Sequence, residues 1–232
     1  MISRRSVCSL AGIGLVAAAT PFVSQSIAWA GAESGPHRWQ SKGFTPEGLG
    51  RWPSDVDQHL ALYEGYVKKA NEILTQLTTV SRDPKEQSIT YSALRALKVE
   101  YSFAVGGVKN HEIFFGNQLS APKESNTPAG RAKRLIVEHF GSVARWEEDL
   151  RATGISARGW AWLAYDRDTK TLFNYIGDGQ NSYPIWNAVP LLALDMYEHA
   201  FFKDYGRDRG AYITDFMKRV NWEAVEQRLA LL

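Results

Sequence analysis

Between Asp55 and Leu77 the apolar and aromatic positions recur at helical spacing. His59, Tyr63, Tyr66, Ala70 and Ile73 stand 4, 3, 4 and 3 residues apart, so they share one stripe of a helix. Ser54-Asp55 offers the N-cap of that helix. Asp83-Pro84 breaks the pattern and is expected to start a second long helix. There Leu97, Tyr101, Ala104, Val108, His111 and Phe115 repeat the same spacing. Two long amphipathic helices with a short loop between them predict an antiparallel hairpin over residues 54–122.

The pattern changes after Ser120. The stretch to Gly130 is rich in Ser, Pro, Asn and Gly and reads as a domain boundary. Helices are expected near 131–140 and 143–153, the latter begun by Ser142 and ended by Gly154. Trp160–Tyr165 and Thr171–Ile176 read as strands around a turn at 166–170. A polar loop, 177–187, leads to a third strand ending near Asp195, and helices fill the rest. The predicted class is therefore α+β: an N-terminal antiparallel helical hairpin, then a C-terminal domain over 123–232 with a small three-stranded antiparallel sheet and helices. Residues 31–53, with scattered Gly, Ser, Pro and charge, are expected to form an irregular arm.

The first thirty residues follow different rules. They carry Arg4-Arg5 and no acids, run through an apolar stretch from Leu10 to Phe22, and close on Ala28-Trp29-Ala30. This reads as a signal peptide of the twin-arginine type, too short and broken in its apolar part to span a bilayer. The expected location is periplasmic or secreted, with no membrane association once the signal is removed. Cys8, the one cysteine, would leave with it. So would two of the 27 basic residues, leaving 25 of each sign on a chain of about 202 residues. A neutral chain has no basic excess to draw it to nucleic acid or anionic lipid. Without disulfides, its stability must come from its core. The twin-arginine route carries folded proteins, which favours a cofactor loaded before export.

The candidate chemistry lies in Leu192–Phe202, LALDMYEHAFF. By themselves Asp195 reads as a helix cap and His199 as a core imidazole. The other histidines change the weighing. Of the five, His37 falls in the arm and His139 on a solvated helix, while His59, His111 and His199 each lie on an apolar or aromatic stripe. Buried imidazoles need partners. Three of them beside one aspartate suit a transition metal such as iron or manganese.

At these residues the sequence resembles the iron/manganese superoxide dismutases, from about Asp55 to Trp222. Asp195-Met196-Tyr197-Glu198-His199-Ala200 is similar to the family's Asp-x-Trp-Glu-His-Ala signature. Asn110-His111, Tyr66-Val67 with Asn71, Phe140-Gly141-Ser142, Gly159-Trp160-Ala161-Trp162 and Asn221-Trp222-Glu223 also match, in order. The resemblance implies that His111, Asp195, His199 and a first-helix histidine hold the metal. It implies superoxide as substrate, disproportionated to dioxygen and hydrogen peroxide. Tyr66 and Gln180 would manage the proton, and Lys68, Lys69 or Arg209 would attract the anion. It also implies a homodimer in which Glu198 bonds a ligand histidine of the other subunit.

The chain departs from the family in three places. Gln58 stands where the common ligand histidine would be, eight before Tyr66; His59 stands seven before it. Either a ligand has been lost, or a π-bulge of the family helix is missing and His59 is the ligand at ordinary α spacing. The second reading is the expectation, since His59 already shares a face with Tyr63 and Tyr66. A polar link across the dimer has lost both ends, leaving Leu62 or Tyr63 and Phe202. Tyr197 replaces a tryptophan. Gly107 leaves room over the metal for an amide from the loop, Gln180, which resembles manganese-type members and slightly favours manganese over iron; the alternative is that Gly106-Gly107 serves helix packing. Competing classes are a non-haem iron oxygenase, which leaves one histidine unexplained, a zinc hydrolase, which lacks a spare buried base, and a degenerate, non-enzymatic metal-binding homologue.

Overall fold

The computed structural model describes residues 37–182 and 185–232. The expected signal peptide and the first six residues of the arm lie outside them. The arm from His37 has no regular structure up to Phe44 and is held by specific bonds. Trp39 exchanges two hydrogen bonds with the Asn71 side chain, and its indole N–H donates to the Tyr101 hydroxyl. The Lys42 N–H donates to the Tyr63 hydroxyl at 3.0 Å.

The hairpin forms as expected, from α1 (Val56–Leu77) and α2 (Ala93–Gly116). Its ends differ from the reading of the sequence. Asp55 occupies the cap position of α1 but its side chain makes no capping bond. Asp83-Pro84 starts only a single 3-10 turn, Pro84–Glu86, closed by Asp83 accepting from the Lys85 N–H. The real start of α2 is Ser92, whose hydroxyl accepts from the Arg95 N–H. A satisfied serine cap outcompetes a proline eight residues earlier that lies before an exposed Ile-Thr-Tyr run.

Beyond the hairpin come α3 (Gly130–Phe140) and α4 (Val143–Ser156). Ser142 caps α4, as expected, but Gly154 does not end it. That glycine is buried inside the last turns, where an added Cβ would come within 3.0 Å of Ile213 and Leu194. Its small size serves close packing rather than termination.

The sheet has order β2-β1-β3, from β1 (Trp160–Asp166), β2 (Thr171–Gly177) and β3 (Ala188–Asp195), all antiparallel. The β1–β3 register slips between Leu163 and Ala164, where Leu191, next to Pro190, is left without a partner. Proline has no N–H to give to the ladder, so a bulge there costs little. The register sets Trp160 between Asp195 and Gly177 at one end of the sheet. Three short helices complete the chain: α5 (Phe202–Tyr205), α6 (Arg209–Arg219) and α7 (Trp222–Ala230). The buried Trp146, Trp160, Phe114, Phe216, Leu163 and Leu192 belong to one continuous core spanning hairpin and sheet. Among the described residues no helix is long and apolar enough to cross a membrane.

Candidate metal centre

Asp195 is the last residue of β3 and is fully buried. One carboxylate oxygen, Oδ1, accepts from the Tyr197 N–H at 2.9 Å and fixes the turn that follows. The other, Oδ2, faces three imidazoles. The Nε2 atoms of His59, His199 and His111 lie 3.1, 3.3 and 3.7 Å from it. The four side chains come from α1, α2, the end of β3 and a 3-10 turn, Glu198–Ala200. Their ligand atoms all lie within 4.8 Å of one another.

The register of α1 is plain. The helix is α-helical throughout, without a π turn. Gln58 is exposed, while His59 is buried against Phe114 and Phe115. Ordinary α spacing thus turns His59, not Gln58, to the other histidines.

Burial drives the His59 imidazole's pKa down, against the pull of Asp195. Burial, with the neighbouring His59, takes His111 down to about 3. Burial would raise the Asp195 carboxyl, but hydrogen bonds from His199 and His59 outweigh it and hold it well below the usual carboxylate range. For His199 burial also acts downward, and Asp195 overcomes it, so its pKa is raised. At neutral pH the group therefore presents a carboxylate and neutral imidazoles at His59 and His111.

These residues fit a divalent or trivalent transition metal. Ligands about 2.1 Å from a shared ion stand roughly 3–4 Å apart, which is the spacing around Asp195. The His111 Nδ1 donates to the Gly107 carbonyl at 2.7 Å, which fixes the tautomer and leaves an Nε2 lone pair. That Nε2 is buried and has no hydrogen-bond partner among the described residues.

A second layer surrounds the four. Gln180 is buried, and its Oε1 accepts from the Trp160 indole at 3.1 Å and from Asn110 at 3.4 Å. Asn110 also donates to the Gln180 carbonyl. Tyr66 lies beside His111, with ring centroids 5.5 Å apart. Burial raises its phenol pKa, Asp195 adds to this, and the Gln180 side chain opposes it. Tyr197 stacks on His199 and meets Trp160 edge-on. The roles of Asn110 and Trp160 were not foreseen, although both lie in motifs the sequence displayed.

Gly107 does not make room for an amide. A Cβ there would meet the Tyr66 ring at 2.6 Å, so the missing side chain seats the phenol. It is Gly106 that adjoins Gln180: a Cβ there would come within 2.1 Å of the Gln180 carbonyl oxygen. The three candidate cations divide. Lys68 and Lys69 are exposed and pair with Glu72. Arg209 directs its guanidinium to the carbonyls of Gly154 and Ala157 near the end of α4 and, at 3.5 Å, to that of Met196, the residue after Asp195.

Residues 128–228 match the family model described as the C-terminal domain of iron/manganese superoxide dismutases. A protein of Aquifex aeolicus named superoxide dismutase (Fe) is 36% identical over 198 residues, covering 84% of this chain and 92% of that protein. The chain belongs to the iron/manganese superoxide dismutase family. Other relatives carry either metal in their names. One from Methanothermobacter thermautotrophicus, superoxide dismutase (Fe), is 35% identical over 73% of this chain and 82% of its own length. One from Halobacterium salinarum, superoxide dismutase (Mn) 1, is 31% identical over the same shares of the two chains. The family's α+β architecture is the one described above, and its names leave iron and manganese both open.

Proposed function

We propose that this chain is a superoxide dismutase, acting at one iron or manganese ion held by His59, His111, Asp195 and His199. The observation that carries the reading is the convergence of three imidazole nitrogens on one buried carboxylate oxygen, at 3.1, 3.3 and 3.7 Å. The bound metal supplies one-electron redox chemistry between its +3 and +2 states. Two superoxide ions and two protons give one dioxygen and one hydrogen peroxide.

The chain's own residues do the rest. Asp195 supplies the single negative charge, which keeps the ligand set net positive around a di- or trivalent ion and attractive to a small anion. Gly107 fixes His111, and the Tyr197 N–H fixes the carboxylate. Trp160 and Asn110 hold the Gln180 amide between them, beside the Tyr66 phenol. Tyr66 stays protonated at neutral pH and can deliver a proton at its hydroxyl. Phe114, Phe115, Tyr63 and Trp160 wall the site against water. The loop origin of Gln180 slightly favours manganese.

Two finer parts belong to the same proposal. The chain works as a homodimer through the Glu198 region. Glu198 is exposed, and the His199 side chain is 35% exposed in a single chain although it faces a buried site. Leu62 and Phe202 are also open to solvent. A second copy over this face would cover a ligand that is otherwise half in water. The protein is exported by the twin-arginine route to the periplasm or beyond. The rival of a degenerate homologue drew its weight from Gln58 and Phe202; Gln58 is exposed and points away from the centre, and Phe202 lies on the exposed face assigned to the second copy.

The test is a superoxide assay with metal analysis on the same protein. Activity should follow bound iron or manganese, vanish on chelation and return with one of the two metals. Stoichiometric metal without dismutation would leave a metal-binding homologue.

A further inference from the structure

Tyr63 follows His59 by one turn of α1, yet its hydroxyl meets α2 and the N-terminal arm rather than the four ligands. It donates to the Glu112 carboxylate at 3.1 Å. Glu112 is the residue after His111 on α2. One hydrogen bond therefore joins the two hairpin helices, a turn from one ligand and a residue from the other. Among the described residues it is the one side-chain hydrogen bond that runs directly from α1 to α2. Further along the hairpin the helices meet through apolar side chains such as Ala70, Ile73 and Ala104. Apolar packing has no direction, whereas a hydrogen bond fixes both a distance and an angle.

The arm closes over this bond. The Lys42 N–H donates to the same hydroxyl at 3.0 Å, so the phenol oxygen accepts from the arm and donates to α2. Phe44 meets the Tyr63 ring edge-on at 6.0 Å and lies tilted against Phe115 at 5.5 Å. Phe115 in turn meets the His59 ring edge-on at 4.9 Å. About two turns further along α1 the arm ties the helices again, through Trp39, which bonds Asn71 of α1 and the Tyr101 hydroxyl of α2.

We propose that Tyr63 and Glu112 are positioning residues for the metal centre: their bond, roofed by the arm, sets the separation of His59 and His111. The brace rests on the superoxide dismutase reading for its metal, not for its reaction. Asp195 and His199 lie close along the chain, at the end of β3 and in the turn that follows, so local backbone fixes them together. His59 and His111 come from two separate helices, and only the packing of α1 on α2 fixes the gap between them. A ligand set has to be held within about 0.5 Å of its working geometry. A helix moves as a rod, so a slide of α2 past α1 would carry the His111 imidazole with it. What the brace needs at position 112 is an acceptor oxygen rather than a charge.

Metal-loaded protein is diluted into excess chelator and the release of iron or manganese is timed. The visible and electron paramagnetic resonance spectra of the bound metal are recorded beforehand. Tyr63→Phe keeps the ring and loses the hydroxyl, and should release metal about tenfold faster with a shifted spectrum. Glu112→Ala should do the same. The double variant should also release about tenfold faster, not about a hundredfold, because both changes remove one bond. Glu112→Gln keeps an acceptor oxygen and should restore the release rate and the spectrum, which a role through charge alone would not. Glu112 is only half-buried, so its two variants read the brace even where Tyr63→Phe folds poorly. Wild-type release and spectrum in Tyr63→Phe and Glu112→Ala, multiplied effects in the double variant, or a Glu112→Gln as fast as Glu112→Ala would overturn the brace. A wild type that holds metal yet fails to dismutate superoxide would instead overturn the reading of the reaction.

Discussion

His59 and Asp195 are 136 residues apart in the chain and 3.1 Å apart in space, Nε2 to Oδ2. That one contact ties the first helix of the hairpin to the last residue of the sheet. It exists because α1 keeps ordinary α spacing between His59 and Tyr66, so the imidazole falls on the buried stripe. Neither element alone can hold a metal, and the two halves of the fold meet at the place where the charge is needed.

Gln180 is the side chain through which Trp160 and Asn110 act on the centre. Gln180→Ala should leave the four ligands in place but release Tyr66 and the two donors. Loss of such a supporting contact costs about 10–100-fold in activity or metal affinity. Rates per bound metal, measured beside metal content, should show the loss mainly in rate.

Metal removal should weaken the fold as well as the activity. A ligand present at about 100 times its dissociation constant adds about 2.7 kcal/mol to the folded state. For a chain of this size that corresponds to a fall of about 5–10 °C in Tm on chelation. Calorimetry of loaded and chelated protein checks it, and equal Tm values would mean that the four residues hold no ion.

The dimer face makes a coupled prediction. Glu198→Ala should weaken association and lower metal occupancy together, because the carboxylate would steady a ligand histidine across the interface. Sedimentation at several concentrations, with metal analysis, reads both. A fully metallated wild-type monomer would contradict it.

Export rests on the leader alone. Arg4→Lys combined with Arg5→Lys should hold full-length protein inside the cytoplasmic membrane, whereas the wild type should lose residues 1–30. Fractionation with mass spectrometry of the N-terminus distinguishes the two, and normal export of the double variant would contradict the twin-arginine reading.

Much of this was legible in the sequence. The stripe from His59 to Ile73 gave the first helix and its buried face, and alternating aromatics gave the strands. The failures were local. Asp83-Pro84 looked like a helix start because proline and aspartate favour first turns, but a single turn satisfied them and Ser92 took the cap. Gly154 looked like a stop because glycine commonly ends helices, and packing against Ile213 and Leu194 was invisible from one strand of text. In the centre, three histidines on apolar stripes and one aspartate were readable as a candidate metal set, the family resemblance implied them as ligands, and the fold brings the four together. The donors to Gln180 were not, since Asn110 and Trp160 reach it only through tertiary geometry. For the same reason Gly107 was matched to the wrong neighbour: one helical step separates it from Gly106, and only the fold shows that Tyr66 fills the space.

The most direct test compares His59→Ala with Gln58→Ala, reading metal per chain and superoxide dismutation on the same samples. His59→Ala should lose most bound metal and all measurable dismutation, while Gln58→Ala, changed only at an exposed position, should match the wild type in both. Full metal and activity in His59→Ala, or their loss in Gln58→Ala alone, would contradict the four-residue centre.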